Sequence, residues 1–185
     1  ACEASAGGMA AIVGLDEEAV RSVCDQADVS LANLNCPGQI VVSGDTDKID
    51  AACDAAKTAG AKRAIPLPVA GAYHSPLMQP AQAGLGEILA KVELCEPSVP
   101  VYSNVTGQAH ANARTIAGAM VEQVTSPVKW EACIHAMIAD GVTRFIELGP
   151  GTALTGFMRR IDRTAEVLNV GDCDSLAKAA EALNA

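Results

Sequence analysis

The sequence predicts an α/β fold, and two observations carry that prediction. Half of the positions are hydrophobic but only 3% are aromatic, so the core must be built from Ala, Val, Ile and Leu, which suit helices packed closely on sheets. Apolar periodicity then switches repeatedly between two and 3.6 along the chain. Over residues 9 to 68 the elements read strand, helix, strand, strand, helix, strand, and beyond residue 79 strands and helices alternate singly. With 185 residues the chain is long enough for one or two domains.

Met9 to Leu15 reads as the first strand. Asp16 is an N-cap for a helix with Glu17 and Glu18 in its first turn and Val20, Val23 and Cys24 on its apolar face. A second strand is expected from about Val29 to Asn35, and Cys36-Pro37-Gly38 is turn chemistry that leads into a strand from Gln39 to Ser43. Asp45 is the expected N-cap of a second helix, with Ile49, Ala52, Cys53, Ala56 and Ala59 on one face and Gly60 at its end. The run from Ala61 to Val69 contains Pro66 and Pro68, which assigns it to a sheet edge. This order is the split βαβ, ferredoxin-like arrangement (βαββαβ), an architecture that hosts many unrelated functions.

Downstream, helices are expected at Pro80 to Val92, Arg114 to Val124, Trp130 to Ala139, Thr152 to Ile161 and Asp174 to Leu183. Strands are expected at Val99 to Ser103, Arg144 to Leu148 and Ala165 to Val170. Alternation of this kind implies parallel strands with crossover helices. Three short strands make a thin sheet for so many helices, and Ala1 opens on what reads as the tail of a helix, so the beginning of the domain is expected to be missing.

Charge and cysteine content narrow the function classes. A net charge of −9 and a pI near 4.7 argue against nucleic acid, whose phosphates require a basic face. No apolar run reaches the roughly 20 residues needed to span a bilayer and no signal-peptide pattern marks the start, so the chain is expected to be soluble and either unprocessed or already trimmed. The seven cysteines are odd in number and form no C-x-x-C pair or zinc-spaced cluster. They read as reduced thiols in a reducing compartment, with Cys24, Cys53 and Cys133 on apolar helix faces and Cys36 in a turn.

His74 follows the strand-to-glycine break Val69-Ala70-Gly71-Ala72-Tyr73 and precedes a long amphipathic stretch. An imidazole fixed there can take a proton from a nucleophile and return it to a leaving group; the alternative is a histidine that merely caps a helix or bonds within a core. Gly149-Pro150-Gly151 before a helix reads first as a tight turn and second as an anion cradle. His110 is expected at the surface and His135 on a helix face.

Six segments in order resemble the malonyl-CoA:acyl carrier protein transacylases of type II fatty acid synthesis. They are Gly8 to Leu15, Asn35 to Gly44, Gly71-Ala72-Tyr73-His74-Ser75, Val101 to Gly107, Gln123 to Trp130 and Glu147 to Gly151. The resemblance covers almost the entire chain. It implies an α/β-hydrolase-like acyltransferase domain, only partly present, with a ferredoxin-like subdomain inserted: residues 1–8 as the tail of the large-domain segment, 9–69 as the subdomain and 70–185 as the C-terminal part of the large domain.

The family's nucleophile lies in a G-H-S-x-G elbow, which these 185 residues lack. The serine, the oxyanion segment and the carboxylate-binding arginine are therefore expected upstream. The resemblance makes His74 the general base and acid, and Gln123 the residue whose backbone carbonyl orients it. The resemblance implies Asn35, Gln39 and Tyr73 as substrate contacts, an aromatic at Tyr73 favouring malonyl; the alternative for Asn35 and Gln39 is that they cap the Pro37-Gly38 turn. No cofactor or metal is implied, malonyl-CoA being the substrate and acyl carrier protein the partner.

Carrier docking requires a local basic patch, either Lys57, Lys62 and Arg63 or Arg159, Arg160 and Arg163. The expected compartment is the cytoplasm, alternatively a plastid or the mitochondrial matrix. Two other readings stand beside this one: a non-enzymatic ferredoxin-like binding module, and a thiol enzyme pairing Cys36 with His74.

Overall fold

A computed structural model describes residues 6–184; the expected helix tail at the start of the chain lies largely outside them. The chain divides into two compact units, one ending at Cys133 and the other beginning at Ile134.

The first unit opens with β1 (Gly7–Val13), α1 (Glu17–Ala27), β2 (Ser30–Cys36), β3 (Gln39–Asp45), α2 (Thr46–Thr58) and β4 (Arg63–Pro66). The four strands form one sheet in the order β2-β3-β1-β4, and every neighbouring pair is antiparallel. Alternation sorts their side chains by face. Ala10, Ile12, Ile40 and Val42 pack with Val20, Val23, Ile49 and Ala52 of the helices, whereas Met9, Ala32 and Val41 form a smaller cluster.

Local chemistry explains the boundaries. The Asp16 carboxylate accepts the Ala19 amide at 2.9 Å and starts α1. Gly38, at φ 68°, makes the tight β2–β3 turn possible. β4 is shorter than the run Ala61 to Val69, and it is an edge strand as its prolines require.

Two details differ from expectation. Asp45 stands at the α2 N-cap but its side chain makes no capping bond, because the carboxylate pairs with Lys48 at 3.2 Å. Ala59 lies just beyond the last turn and is exposed, so the buried face of α2 ends at Ala56.

The free edge of β2 is covered by the segment after Gln123. Leu34 N donates to Val128 O and Val128 N to Ala32 O, each at 2.8 Å, which satisfies backbone groups an edge strand otherwise exposes. A 3-10 turn (Pro76–Met78) leads into α3 (Gln79–Leu89), and α4 (Ala113–Gln123) packs against α3. Asn112 and Thr115 close α4's N-terminus with a reciprocal capping box.

The strand expected at Val99 to Ser103 does not form. Tyr102 makes a single bridge with Ala109, and the chain doubles back through Ser103 N to Gln108 O and Gly107 N to Ser103 O, both 2.8 Å. The Ser103 hydroxyl also accepts the amides of Val105 and Thr106. That local turn takes the backbone groups a strand would need.

Helix α5 (Trp130–Ala139) contains the division between units. The second unit then has β5 (Arg144–Leu148), α6 (Ala153–Ile161), β6 (Glu166–Val170) and α7 (Cys173–Asn184). β5 and β6 are parallel, as the crossover through α6 demands. The expected three-stranded series is thus a two-stranded sheet. Among the described residues no helix is long and apolar enough to cross a membrane.

Candidate active site

The backbone presents His74 in an unusual way. Its φ is 60°, a left-handed conformation that costs a non-glycine residue of this bulk of order 1–3 kcal/mol and persists only where its surroundings over-determine it. Those surroundings are identifiable. The Ser75 hydroxyl, buried at 1% exposure, donates to Ala72 O at 2.7 Å and accepts the Leu77 amide at 3.3 Å, so one side chain holds both flanks of the turn. From below, Gly7 of β1 lets this segment approach closely, because a Cβ there would lie 2.7 Å from the Ala72 Cβ and overlap Ala72 N.

The His74 ring is half-buried and its Nδ1 lies 3.0 Å from Gln123 O. A carbonyl can only accept, so this bond places the proton on Nδ1 and leaves the lone pair on Nε2. The Gln123 carbonyl is available because Gln123 is the last residue of α4, where helix carbonyls lack intrahelical partners. Its other donor is the Ser126 amide at 3.4 Å.

Two cavities meet at His74. One, of about 430 Å³, is bordered by Arg21, Asp25, Ser30, Thr125 and Pro127. The other, of about 320 Å³, is lined by Tyr73, Met78, Leu85, Met120 and Val124 together with Gln123. The imidazole therefore stands between a space of mixed polarity and an apolar one.

The other sequence candidates are placed as follows. Tyr73 is 37% exposed and borders the apolar cavity. Asn35 lies near the end of β2 and Gln39 begins β3, and neither lines the two cavities. Cys36 is buried at 1% exposure, with Sγ 3.8 Å from Gln39 Oε1, which deprives it of the access a nucleophilic thiol needs. Cys24, Cys53 and Cys133 are buried as expected. Burial pushes the Cys24 thiol up to about 11, and burial also raises Cys53 and Cys133. His110 is half-buried and His135 is exposed on α5.

The glycine turn before α6 serves its own chain. The Glu147 carboxylate accepts the Leu154 backbone amide at 3.0 Å, the Thr155 backbone amide at 2.8 Å, the Thr155 hydroxyl at 2.5 Å and the Asn169 side-chain Nδ2 at 3.3 Å. Partial burial works to raise its pKa, but these donors outweigh it and hold the group below the usual carboxylate value of 4.5. The helix N-terminus is thus already occupied by an internal anion. The sequence signal was a glutamate just ahead of a glycine turn.

Sequence reasoning also missed Asn104, whose Nδ2 donates to Gln123 Oε1 at 3.1 Å. Among the described residues no group of three His, Cys, Asp or Glu could hold a metal ion.

A family profile described as the acyl transferase domain matches residues 2–180. The chain belongs to the acyl transferase domain family. Within it, the chain is 43% identical to the malonyl CoA-acyl carrier protein transacylase of Bacillus subtilis, over 99% of this chain and 59% of the relative. It is 40% identical to that of Escherichia coli K12, over 95% of this chain and 58% of the relative. Among solved structures, an acyl carrier protein S-malonyltransferase from Vibrio cholerae superposes with a TM-score of 0.90 at 42% identity, covering 94% of this chain and 58% of that one. A malonyl-transacylase solved in complex with a type II polyketide acyl-carrier protein gives 0.92 at 38% identity, covering 96% and 59%. This acyl transferase chain accordingly spans about three-fifths of the length of the curated relatives it matches. The α/β fold is the one those acyltransferases share.

Proposed function

We propose that this chain is the His74-bearing part of a malonyl-CoA:acyl carrier protein transacylase. The observation that carries the reading is the bond between His74 Nδ1 and the Gln123 carbonyl at 3.0 Å, which leaves Nε2 free as a base with a neutral acceptor in place of the usual carboxylate. A serine in a part of the enzyme upstream of residue 1 attacks the malonyl thioester. As the C–O bond forms and the C–S bond breaks, the serine proton passes to His74 Nε2 and then to the departing coenzyme A thiolate. In the second half the phosphopantetheine thiol of acyl carrier protein gives its proton to His74 and attacks the acyl-serine, and the proton returns to serine. No cofactor enters this route.

Residues 9–69 act as a ferredoxin-like subdomain inserted in an α/β-hydrolase-like domain, a reading supported by the antiparallel order β2-β3-β1-β4. Tyr73 borders the space next to the imidazole and favours malonyl; Asn35 and Gln39 of the β2–β3 hairpin line neither cavity described above and would meet substrate only in a cleft completed by the rest of the enzyme. The acidic carrier protein docks on a local basic cluster. Lys57 is paired with Asp54 at 3.0 Å, so Lys62 and Arg63 supply most of the free charge of the first candidate cluster. The kinship to bacterial relatives supports a cytoplasmic setting.

In the full-length enzyme, His74→Ala is expected to lower malonyl transfer by at least about 10³-fold with an unchanged circular dichroism spectrum, and this chain alone is expected to transfer none. Undiminished transfer by the variant would remove His74 from the mechanism. Transfer by the isolated chain would refute the upstream serine.

A further inference from the structure

We propose that Asn104 is a positioning residue for the histidine base, acting through the Gln123 side chain; the proposal rests on the transacylase reading above. Gln123 ends α4, where the chain leaves the helix through long bonds: Val124 N to Val121 O at 3.4 Å, Thr125 N to Glu122 O at 3.2 Å and Ser126 N to Gln123 O at 3.4 Å. A carbonyl at a loosening helix end is a poorly defined acceptor. Besides the His74 bond itself, Gln123 is held from outside the turn by the 3.1 Å bond from Asn104 Nδ2 to its Oε1.

Asn104 is itself held. Its backbone carbonyl accepts the Lys129 amide at 2.8 Å, which ties it to the segment that covers β2. Its Oδ1 lies 3.9 Å from Cys133 Sγ, a thiol that also donates to Ser103 O at 3.2 Å. The thiol's one proton goes to Ser103 O, and Oδ1 lies on the same side of the amide as the sulfur, so that Nδ2 faces Gln123 Oε1. Burial raises the Cys133 pKa and keeps that donor in place. The order of contacts is therefore Cys133, Asn104, Gln123, His74, with the last link made by the backbone carbonyl. Small displacements of that carbonyl change which ring nitrogen carries the proton.

The test is a double-mutant cycle in the full-length enzyme with Asn104→Leu and Gln123→Met, which remove the same side-chain bond from its two ends. Each is expected to lower kcat about tenfold with KM for malonyl-CoA within about twofold, and the double variant no more than either single. In nitrogen-15 NMR, His74 is expected to pass from one tautomer, protonated on Nδ1, to a mixture in both variants. Losses that multiply, or a His74 tautomer unchanged in both variants, would overturn the proposal. If Asn104→Leu does not fold, Gln123→Met makes the same test from the other end. A wild-type enzyme that transfers no malonyl would sink the function reading instead, while the tautomer measurement would still decide the role of Asn104.

Discussion

Replacing Gly7 by alanine tests whether β1 sets the position of the His74 turn. The added Cβ would lie 2.7 Å from the Ala72 Cβ and 3.1 Å from its Cα, and would overlap Ala72 N. Carbon atoms in contact prefer about 3.5–4.0 Å, so the two backbones must separate by roughly 1 Å. Neither neighbour is the end of a flexible side chain: Ala72 is fully buried and its carbonyl is bonded to Ser75. Overpacking of this kind costs about 1–3 kcal/mol. Two residues onward, a displacement near 1 Å at His74 is worth about 10²-fold in rate.

The assay pairs urea denaturation with malonyl transfer by the full-length enzyme. Gly84→Ala is the control, since a Cβ there meets nothing within 4 Å inside α3, and a gain of up to about 1 kcal/mol is expected from helix propensity. A Gly7→Ala enzyme as stable and as fast as wild type would refute the argument that close approach at Gly7 positions the base.

Two further outcomes follow from burial and charge. Glu147→Gln should destabilise the protein by about 1–2 kcal/mol at pH 7 through weaker capping of α6. Because the folded-state pKa is depressed, the wild-type contribution is present above 4.5 and is lost as pH falls below it; denaturation curves from pH 3 to 7 should therefore converge for the two proteins at the acid end. Iodoacetamide at pH 8 should modify the exposed Cys95 and Cys173 rapidly and leave Cys24, Cys36, Cys53 and Cys133 intact, as mass mapping would report. Fast labelling of Cys36 would reopen a thiol mechanism.

Much of the fold was legible because local signals and burial agree. Asp16 caps α1 as its position before Glu17 and Glu18 implies, and alternation along β1 and β3 matches the two faces of the sheet. Trp130–Ala139 and Arg144–Leu148 form the expected elements at the expected bounds. The failures have a common cause. Val99 to Ser103 has the composition of a strand, yet Ser103 bonds its own downstream amides, and among the described residues this backbone pairs only with the returning 108–110 segment through an isolated bridge. Glu147 reads as one more strand carboxylate, and only the fold brings Leu154, Thr155 and Asn169 to it.

The candidate site divides in the same way. The sequence alone determined the order of the first six elements, the thiol inventory, the absence of a serine elbow and the candidacy of His74, all of which depend on residue type and short-range spacing. Tertiary structure decided that the imidazole stands in a left-handed backbone, that its Nδ1 faces a carbonyl 49 residues away, and that Asn104 holds the residue carrying that carbonyl. Those facts depend on packing between distant segments, such as Gly7 against Ala72 and the 125–129 segment along β2, which no local periodicity encodes.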